Sequence, residues 1–274
     1  MIEWSNYELG NYRINCPMCS RKASDKTLGL TVEANSRSMA HCFRCGFVET
    51  FKPKSGSLQQ QYLPLPLTQL SKKDWLSDYG YSLWNECQVL EGTVGAEYLK
   101  ARYCVLPPEG HLRFHPKLKH SPSGYIGPAL VALVTDAANG EPMTLHRTWI
   151  HPDGRKAAIN PPRLLLGGHR KQGGVIRLWG EECITHGLGV AEGIETALSL
   201  AHAFEPVWSV IDAGNLAALP VLGGVECLLI AADNDLAGIK AANECALRWN
   251  KEGVEVRITQ QPQNDLNDAL LEAA

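Results

Sequence analysis

The spacing of hydrophobic positions changes along the chain and predicts two kinds of structure. In the C-terminal third, short apolar runs alternate with amphipathic helical patterns. The predicted strands cover residues 188–191, 207–211, 225–232 and 254–259, and the predicted helices cover 194–203 and 236–251. This alternation is typical of a mostly parallel sheet with helices packed on it. We therefore predict a Rossmann-like α/β domain over residues 181–274.

The middle of the chain has a mixed pattern with shorter elements. The predicted elements are helices at 72–83 and 93–104 and strands at 128–136 and 143–150. The turn at Asn139-Gly140 joins the two strands as a hairpin. Residues 72–180 are therefore expected to form an α+β subdomain. Residues 52–71 precede it and are rich in Pro, Ser and Gln, which favours an extended linker.

Charge is strongly segregated, although the net charge of the chain is only −3. Residues 111–180 contain ten Lys and Arg against three Asp and Glu, a net charge of +7. Residues 181–274 contain four Lys and Arg against fifteen Asp and Glu, a net charge of −11. A basic segment beside an acidic one suits an enzyme that binds a polyanion such as nucleic acid. An ordinary solvated surface is the alternative explanation.

Composition narrows the cellular setting. No run of about eighteen apolar residues occurs, so no membrane span is expected. The N-terminus MIEWSNYELG lacks the charged and apolar regions of a signal peptide. Nine cysteines without such a signal indicate thiols and metal binding in a reducing cytoplasm.

Two Cys-x-x-Cys pairs predict a zinc ribbon in residues 1–51. Each pair turns the chain so that two thiolates face one tetrahedral ion, and a plausible hairpin separates the pairs. A redox pair or buried thiols are the alternatives. The four expected ligands of one structural Zn²⁺ are Cys16, Cys19, Cys42 and Cys45. His41 is expected to lie beside the site, because four cysteines already complete a tetrahedron.

Acidic residues follow two of the predicted C-terminal strands. Glu192 comes after the strand at 188–191, and Asp233 and Asp235 come after the strand at 225–232. Open α/β sheets place their sites at the carboxyl ends of strands. Two carboxylates at Asp-x-Asp spacing can share a hard cation such as Mg²⁺, which suggests metal-assisted phosphate chemistry. Capping of the following helix is a structural alternative for the two aspartates.

These motifs resemble those of known families. The segments VAEGIET and IAADNDLAG resemble the TOPRIM domain, the catalytic fold of bacterial-type DNA primases, topoisomerases and some nucleases. The segments CPMC and HCFRCG resemble the zinc-binding domain at the N-terminus of bacterial and phage primases. The basic run from LRFHP to GGVIRLW is similar to the region that precedes TOPRIM in phage- and plasmid-encoded primases.

The resemblance implies a DNA primase, a DNA-directed RNA polymerase and nucleotidyltransferase that makes short RNA primers in phage- or plasmid-type replication. It implies single-stranded DNA and NTPs as partners, and Mg²⁺ or Mn²⁺ as the catalytic metal. The implied catalytic residues and metal ligands are Glu192, Asp233 and Asp235, with Asp265 as a further ligand. The implied nucleotide or template contacts are Arg147, Lys156 and Arg163, in a basic RNA-polymerase subdomain over residues 72–180.

Some features depart from this picture. Primases often carry an acid where this chain has Thr196, and Glu195 is a weaker candidate one position earlier. Asp212 is expected either at the site or in a turn. No Walker A motif occurs, so a helicase is expected on a separate protein. A TOPRIM nuclease and a non-catalytic DNA-binding replication accessory remain alternatives, whereas a topoisomerase would need a large second domain with a nucleophilic tyrosine.

Overall fold

The structure is a computed structural model, and it describes residues 2–20, 22, 26–32, 38–42, 44–45, 47–51 and 73–274. The predicted linker at 52–71 lies outside these residues. The chain divides into two compact units, Met1–Leu67 and Thr68–Ala274.

The N-terminal unit is a small antiparallel sheet. Its four strands, in spatial order, are β1 (Gly10–Ile14), β2 (Leu28–Val32), β3 (Ser38–Cys42) and β4 (Val48–Phe51). Alternate residues of β2 and β3 point inward, and Leu28, Leu30 and Ala40 are fully buried there. The carboxylate of Glu49 accepts hydrogen bonds from the backbone of Ile2 and from the Trp4 indole, which ties the N-terminus to this sheet. The core is small, as expected for a module that a metal completes.

The second unit begins with two helices and five strands. They are α1 (Asp78–Glu86), α2 (Val94–Ala101), β5 (Leu112–Lys119), β6 (Ile126–Asp136), β7 (Pro142–Trp149), β8 (Arg163–Leu165) and β9 (Gly174–Arg177). Strands and helices then alternate. These elements are β10 (Gly187–Ala191), α3 (Ile194–Leu200), β11 (Val207–Ser209), α4 (Ala213–Ala218), β12 (Cys227–Ala232), α5 (Leu236–Lys251), β13 (Glu255–Gln260) and α6 (Leu266–Ala273).

One nine-stranded sheet runs through this unit. Its order is β13-β12-β10-β11-β9-β6-β7-β8, and β5 also pairs with β6. The strands β10 to β13 are parallel to one another, whereas β9 is antiparallel to both of its neighbours. The mostly parallel C-terminal sheet and the α+β middle segment are therefore as predicted. Since a single sheet crosses residue 180, the domain boundary expected there stays a prediction.

Both faces of the sheet are buried. In β10, Val190 packs into the core under α4 and α5, whereas Ala191 packs into the core with α2 and α3. In β6, Leu130 contributes to the α2–α3 core, and Val131 contributes to a third core under α1. Burial on both faces explains why these strands appear as continuous apolar runs in the sequence.

The observed elements differ from the predicted ones mainly in the middle segment. The first helix begins at Asp78 rather than Lys72, because the Ser77 hydroxyl caps it by accepting from the Gly80 N–H. Three strands were not predicted: β5, which contains Pro116, and the short β8 and β9. The observed range of α5 equals the predicted one. No helix in the described residues has the length and apolar composition needed to cross a membrane.

Candidate active site and zinc module

Four cysteine thiols converge in the N-terminal unit. The sulfur of Cys16 lies 3.7 Å from that of Cys45, and the sulfur of Cys19 lies 3.5 Å from that of Cys42. All four sulfurs are within 4.8 Å of one another. Zn–S bonds of tetrahedral geometry require S···S distances of about 3.8 Å. The quartet therefore fits one Zn²⁺, and His41 is not a member of it.

Backbone N–H groups donate to the sulfur atoms of two of these cysteines, whereas burial and the neighbouring thiols raise the pKa of a third, Cys19, to about 12. The N–H of Met18 donates to Cys16 Sγ and the N–H of Arg44 donates to Cys42 Sγ, both at 3.4 Å. Burial alone would raise the pKa of Cys42, but hydrogen bonds from the backbone of Cys45 and Arg44 lower it to about 6. Because the thiolate is the metal ligand, these turns prepare the site for a cation.

In the second unit, two parallel strands end side by side in acidic residues. Glu192 directly follows β10, and Asp233 directly follows β12, which pairs with it. The chain runs from β10 to β11 on one side and then crosses to β12 on the other side. The crevice at such a switch point is where open α/β sheets bind ligands. This strand order places Glu192 and Asp233 at the ends of neighbouring strands, as the sequence predicted.

The carboxyl groups of this acidic site resist ionisation. Burial raises the pKa of Glu192 to about 7, with further contributions from Asp233, Asp235 and Asp212. Burial also raises the pKa of Asp233 to about 6, with Asp265 and Asp235 adding to the rise. Buried carboxylates that repel one another gain most from a bound cation. The site therefore has the electrostatics of a divalent-metal site.

Two carboxylate oxygens of the acidic site have no hydrogen-bond partner in the described part of the chain. Glu192 Oε1 and Asp233 Oδ1 are buried and have no hydrogen-bond partner among the described residues. A buried polar atom without a partner costs about 1–3 kcal/mol, so a ligand is expected to satisfy it. Carboxylate oxygens are the ligands that Mg²⁺ prefers. In the described residues, the cysteine quartet is the group of three or more potential ligand atoms that all lie within 4.8 Å of one another. The carboxylate oxygens of the acidic site are therefore spaced more widely than the thiols.

Asp235 and Gly238 shape the start of α5. Asp235 is the N-cap, and its Oδ1 accepts from the Gly238 N–H at 2.7 Å. The capping role considered from the sequence is therefore real for Asp235, which is also exposed. A Cβ at Gly238 would lie 2.7 Å from the carbonyl oxygen of Asp233 and 3.1 Å from Glu192 Oε1. Only glycine lets the helix approach both acids so closely.

Asp265 borders the same site from the loop before α6. It is the N-cap of α6, and its Oδ1 accepts from the Asp268 N–H at 2.9 Å. The N–H of Asn234 donates to the Asn264 carbonyl at 2.7 Å, which joins this loop to the end of β12. Capping by Asp265 coexists with a position close enough to raise the pKa of Asp233.

Basic side chains lie beside the acids. Arg163, at the start of β8, forms an ion pair of 2.8 Å with Glu195. Burial lowers the pKa of Lys156, and the nearby charge of Arg163 lowers it further. The charge of Arg102 also lowers the pKa of Lys156, and the Arg102 guanidinium lies 3.9 Å from the Asp268 carboxylate. Arg163 and Lys156 are thus neighbours.

Arg147 is not part of this group. It faces the core under α1, since its neighbour in β6 is Val131, whereas Arg163 pairs with Thr148 on the other face. Its guanidinium lies over the Trp149 ring and donates to the Leu165 carbonyl at 2.9 Å. The structure therefore separates Arg147 from the acidic site with which the sequence placed it.

The loop before α4 adds a further ion pair near the site. Asp212 caps α4 and accepts from Lys171 Nζ at 2.7 Å. Ile211 has a φ of 77°, and the Asp212 N–H bonds to the Val210 carbonyl across it. A β-branched residue at positive φ is strained and occurs mainly where function or packing demands it. Asp212 is thus both a cap and a contributor to the pKa of Glu192.

Three contacts of the acidic residues were not foreseen from the sequence. Arg102, Tyr98 and Lys171 contact Asp268, Glu195 and Asp212 in turn, and each lies far from its partner in the chain. Lys171 belongs to the basic segment 111–180, whereas no sequence signal marked Tyr98 or Arg102.

Comparison with protein families matches two segments of the chain. Residues 187–274 match the model of the Toprim domain. The Toprim fold predicted from Glu192 and Asp233-x-Asp235 is thereby confirmed. Residues 76–178 match a domain of unknown function (DUF7146). A four-cysteine module followed by a Toprim domain is the primase-type architecture that the sequence resemblance predicted.

Solved structures with a similar fold include three primases. A primase domain from Pseudomonas aeruginosa has 16% identity, a TM-score of 0.44 and coverage of 70% of this chain and 73% of that chain. The primase fragment of the bacteriophage T7 primase-helicase protein has 18% identity, a TM-score of 0.42 and coverage of 96% and 95%. The zinc-binding and RNA polymerase domains of the Aquifex aeolicus primase have 16% identity, a TM-score of 0.47 and coverage of 99% and 80%. The comparison with curated proteins gives no match.

Proposed function

We propose that this protein is a DNA primase that joins NTPs into short RNA primers on a single-stranded DNA template. The observation that carries the proposal is the pair of buried, unpartnered oxygens of Glu192 and Asp233 at the switch point of the Toprim domain. Arg163 and Lys156, beside these acids, supply the positive charge that a triphosphate needs.

The chemistry of the acidic residues suits a divalent cation. Glu192, Asp233, Asp235 and Asp265 would hold Mg²⁺ or Mn²⁺. When bound, such a cation lowers the pKa of the attacking 3′-hydroxyl and neutralises charge on the α-phosphate. Glu192 would also accept the proton of the 3′-hydroxyl, because burial and its acidic neighbours raise its pKa above the ordinary glutamate value.

The partners follow from the two units. The zinc module, with its cysteine quartet and basic residues, would contact the template, while the Toprim domain would join nucleotides. A separate replicative helicase would supply single-stranded DNA, and phage- or plasmid-type replication is the proposed setting. We also propose that the zinc module spans residues 1–51, the basic subdomain residues 72–180 and the Toprim domain residues 181–274.

The test is a synthesis assay with the full chain. Purified protein is incubated with labelled NTPs, Mg²⁺ and single-stranded DNA of mixed sequence. We expect labelled oligoribonucleotides from the wild type and a loss of at least 100-fold in Asp233→Ala, because positioned metal ligands supply most of the rate in phosphoryl transfer. Asp153→Ala is the matched control, since Asp153 is exposed and pairs only with loop residues in the described chain. Its activity should equal that of the wild type.

The same assay separates the alternatives. Cleavage of the template without synthesis indicates a Toprim nuclease. Template binding without either reaction indicates a non-catalytic replication accessory. Either result contradicts the primase proposal, as does synthesis that persists in Asp233→Ala.

A further inference from the structure

Glu195 occupies an unusual place beside the acidic site. It lies on α3, one turn after Glu192, and its side chain is only 5% exposed. It nevertheless stays ionised: although burial raises its pKa, the Arg163 guanidinium and the Tyr98 hydroxyl lower it to about 2. Glu195 therefore differs from Glu192, whose pKa is raised, and it is paired rather than open to a cation.

One carboxylate oxygen of Glu195 binds two partners from different elements. Its Oε1 accepts from Arg163 Nη2 and from Tyr98 Oη, both at 2.8 Å. Tyr98 lies on α2 and Arg163 on β8, so Glu195 joins both elements to α3 of the Toprim domain. Both contacts are long-range in sequence. The Tyr98 contact is buried, and the Arg163 contact is partly buried.

Arg163 is held on one edge and open on the other. Its side chain is 39% exposed, in contrast to its buried partner. The positive charge of Arg163 lowers the pKa of Asp233, and the negative charge of Asp265 raises the pKa of Arg163. Its Nε is buried and has no hydrogen-bond partner in the described residues, so a ligand would meet the exposed part of the side chain. The guanidinium thus bonds to Glu195 and acts electrostatically on the acidic site.

Stability alone is a weak reason for this arrangement. A buried ion pair is often no more stable than an apolar pair of the same size, because both charges must lose water. What the pair does provide is a fixed guanidinium, since a free arginine side chain would populate many rotamers. A fixed fork of N–H groups beside a metal site is what bidentate phosphate binding requires.

We propose that Glu195 is a positioning residue that holds Arg163 against the triphosphate of the incoming nucleotide. The inference rests on the proposed function and adds to it the residue that orients the nucleotide-binding arginine. Glu195 itself does not contact the nucleotide or the metal.

The experiment measures binding of ATP with Mg²⁺ to the full chain by equilibrium titration. Arg163→Ala should weaken binding about tenfold, which corresponds to 1.4 kcal/mol. Glu195→Gln keeps the shape but removes the charge, and it should weaken binding by about fivefold to tenfold. The double variant should bind no more weakly than Arg163→Ala alone, because Glu195 acts only through Arg163.

Two further variants separate positioning from stability. Tyr98→Phe removes the other hydrogen bond to the same oxygen and leaves the ion pair, so it should lower the melting temperature but change ATP binding less than twofold. Glu195→Asp keeps the buried charge and therefore the fold, but it withdraws the carboxylate by about 1.5 Å, the length of one C–C bond. Glu195→Asp should therefore bind ATP more weakly than the wild type but more tightly than Glu195→Gln.

Unchanged ATP binding in both Glu195 variants overturns the inference, as does a double variant whose loss equals the product of the single losses. The proposed function is judged separately, by primer synthesis in the wild type. A wild type that binds ATP but makes no primers contradicts the function and leaves the result on Glu195 standing.

Discussion

Individual carboxylates in the acidic site are held at a cost to stability. The pKa of Glu192 is raised from 4.5 to about 7, and that of Asp233 from 3.8 to about 6. Between about pH 4 and pH 7 the folded protein therefore binds more protons at these groups than the unfolded chain. It follows that, without a divalent cation, the free energy of unfolding contributed by these groups falls as pH rises through this range.

This sign gives a prediction for Asp233→Asn. At pH 7.5 in a chelator, removing the charge should raise the melting temperature by about 2–4 °C, the shift that 1 kcal/mol produces in a unit of this size. The measurement is thermal unfolding followed by circular dichroism. Asp153→Asn, an exposed control whose pKa is lowered by Arg155, should not raise it. A lower melting temperature for Asp233→Asn would contradict the electrostatic account.

Sequence reasoning located the residues whose positions are fixed by local motifs. The cysteine pairs, and the acids at strand ends, are visible because two or three neighbouring positions define each motif. It could not tell on which face of β7 Arg147 lies, because strand pairing and not a local motif decides the face that a side chain occupies. It also missed the contact of Arg163 with Glu195, which are 32 residues apart on separate elements.

At the scale of elements, the start of α5 decides how closely the acids can approach. Gly238 lies in the first turn, next to both Glu192 and the Asp233 carbonyl. Gly238→Ala should lower the free energy of unfolding by about 1–3 kcal/mol through overpacking and should weaken Mg²⁺ binding. Urea unfolding and a Mg²⁺ titration of primer synthesis would measure the two effects.

The matched control for this element is Gly223→Ala. A Cβ at Gly223 would meet no atom within 4 Å, so this variant should behave like the wild type in both measurements. Equal behaviour of the two alanine variants would mean that the helix can shift away from the acids, contrary to the packing described.

Elements were predictable where their pattern was long and regular. The helix α5 and the strands β10 and β12 follow from periodicity alone. The strands β8 and β9 did not, because three or four residues carry too little pattern and depend on tertiary pairing. The late start of α1 depended on one cap, Ser77, which the apolar pattern does not mark.

At the scale of the molecule, the two units should respond differently to metal removal. The N-terminal sheet has a small core, and the cysteine quartet completes it. We expect one Zn²⁺ per chain by elemental analysis. Strong chelation should then raise hydrogen exchange in residues 2–51 and leave residues 73–274 unchanged, because binding energy at a structural zinc site is folding energy.

Cys16→Ser offers a control that leaves the chelator out. Serine is a poor zinc ligand, so this variant should lose the metal and show the same local increase in exchange. Cys183→Ser, at an exposed thiol outside the quartet, should retain the metal. Zinc-free protein with unchanged exchange in residues 2–51 would contradict the assignment.

The strand β9 has a consequence for dividing the protein into fragments. It has four residues, yet it pairs with Ser209 of β11 on one side and with Thr135 of β6 on the other. A fragment cut at the predicted boundary after residue 180 would leave β11 as an open edge, whose free N–H and C=O groups invite self-association. A fragment that begins just before Gly174 would expose β9 instead, because β9 would lose its partner β6. A division of the protein that keeps Thr68–Ala274 intact leaves every strand of this sheet with its partners.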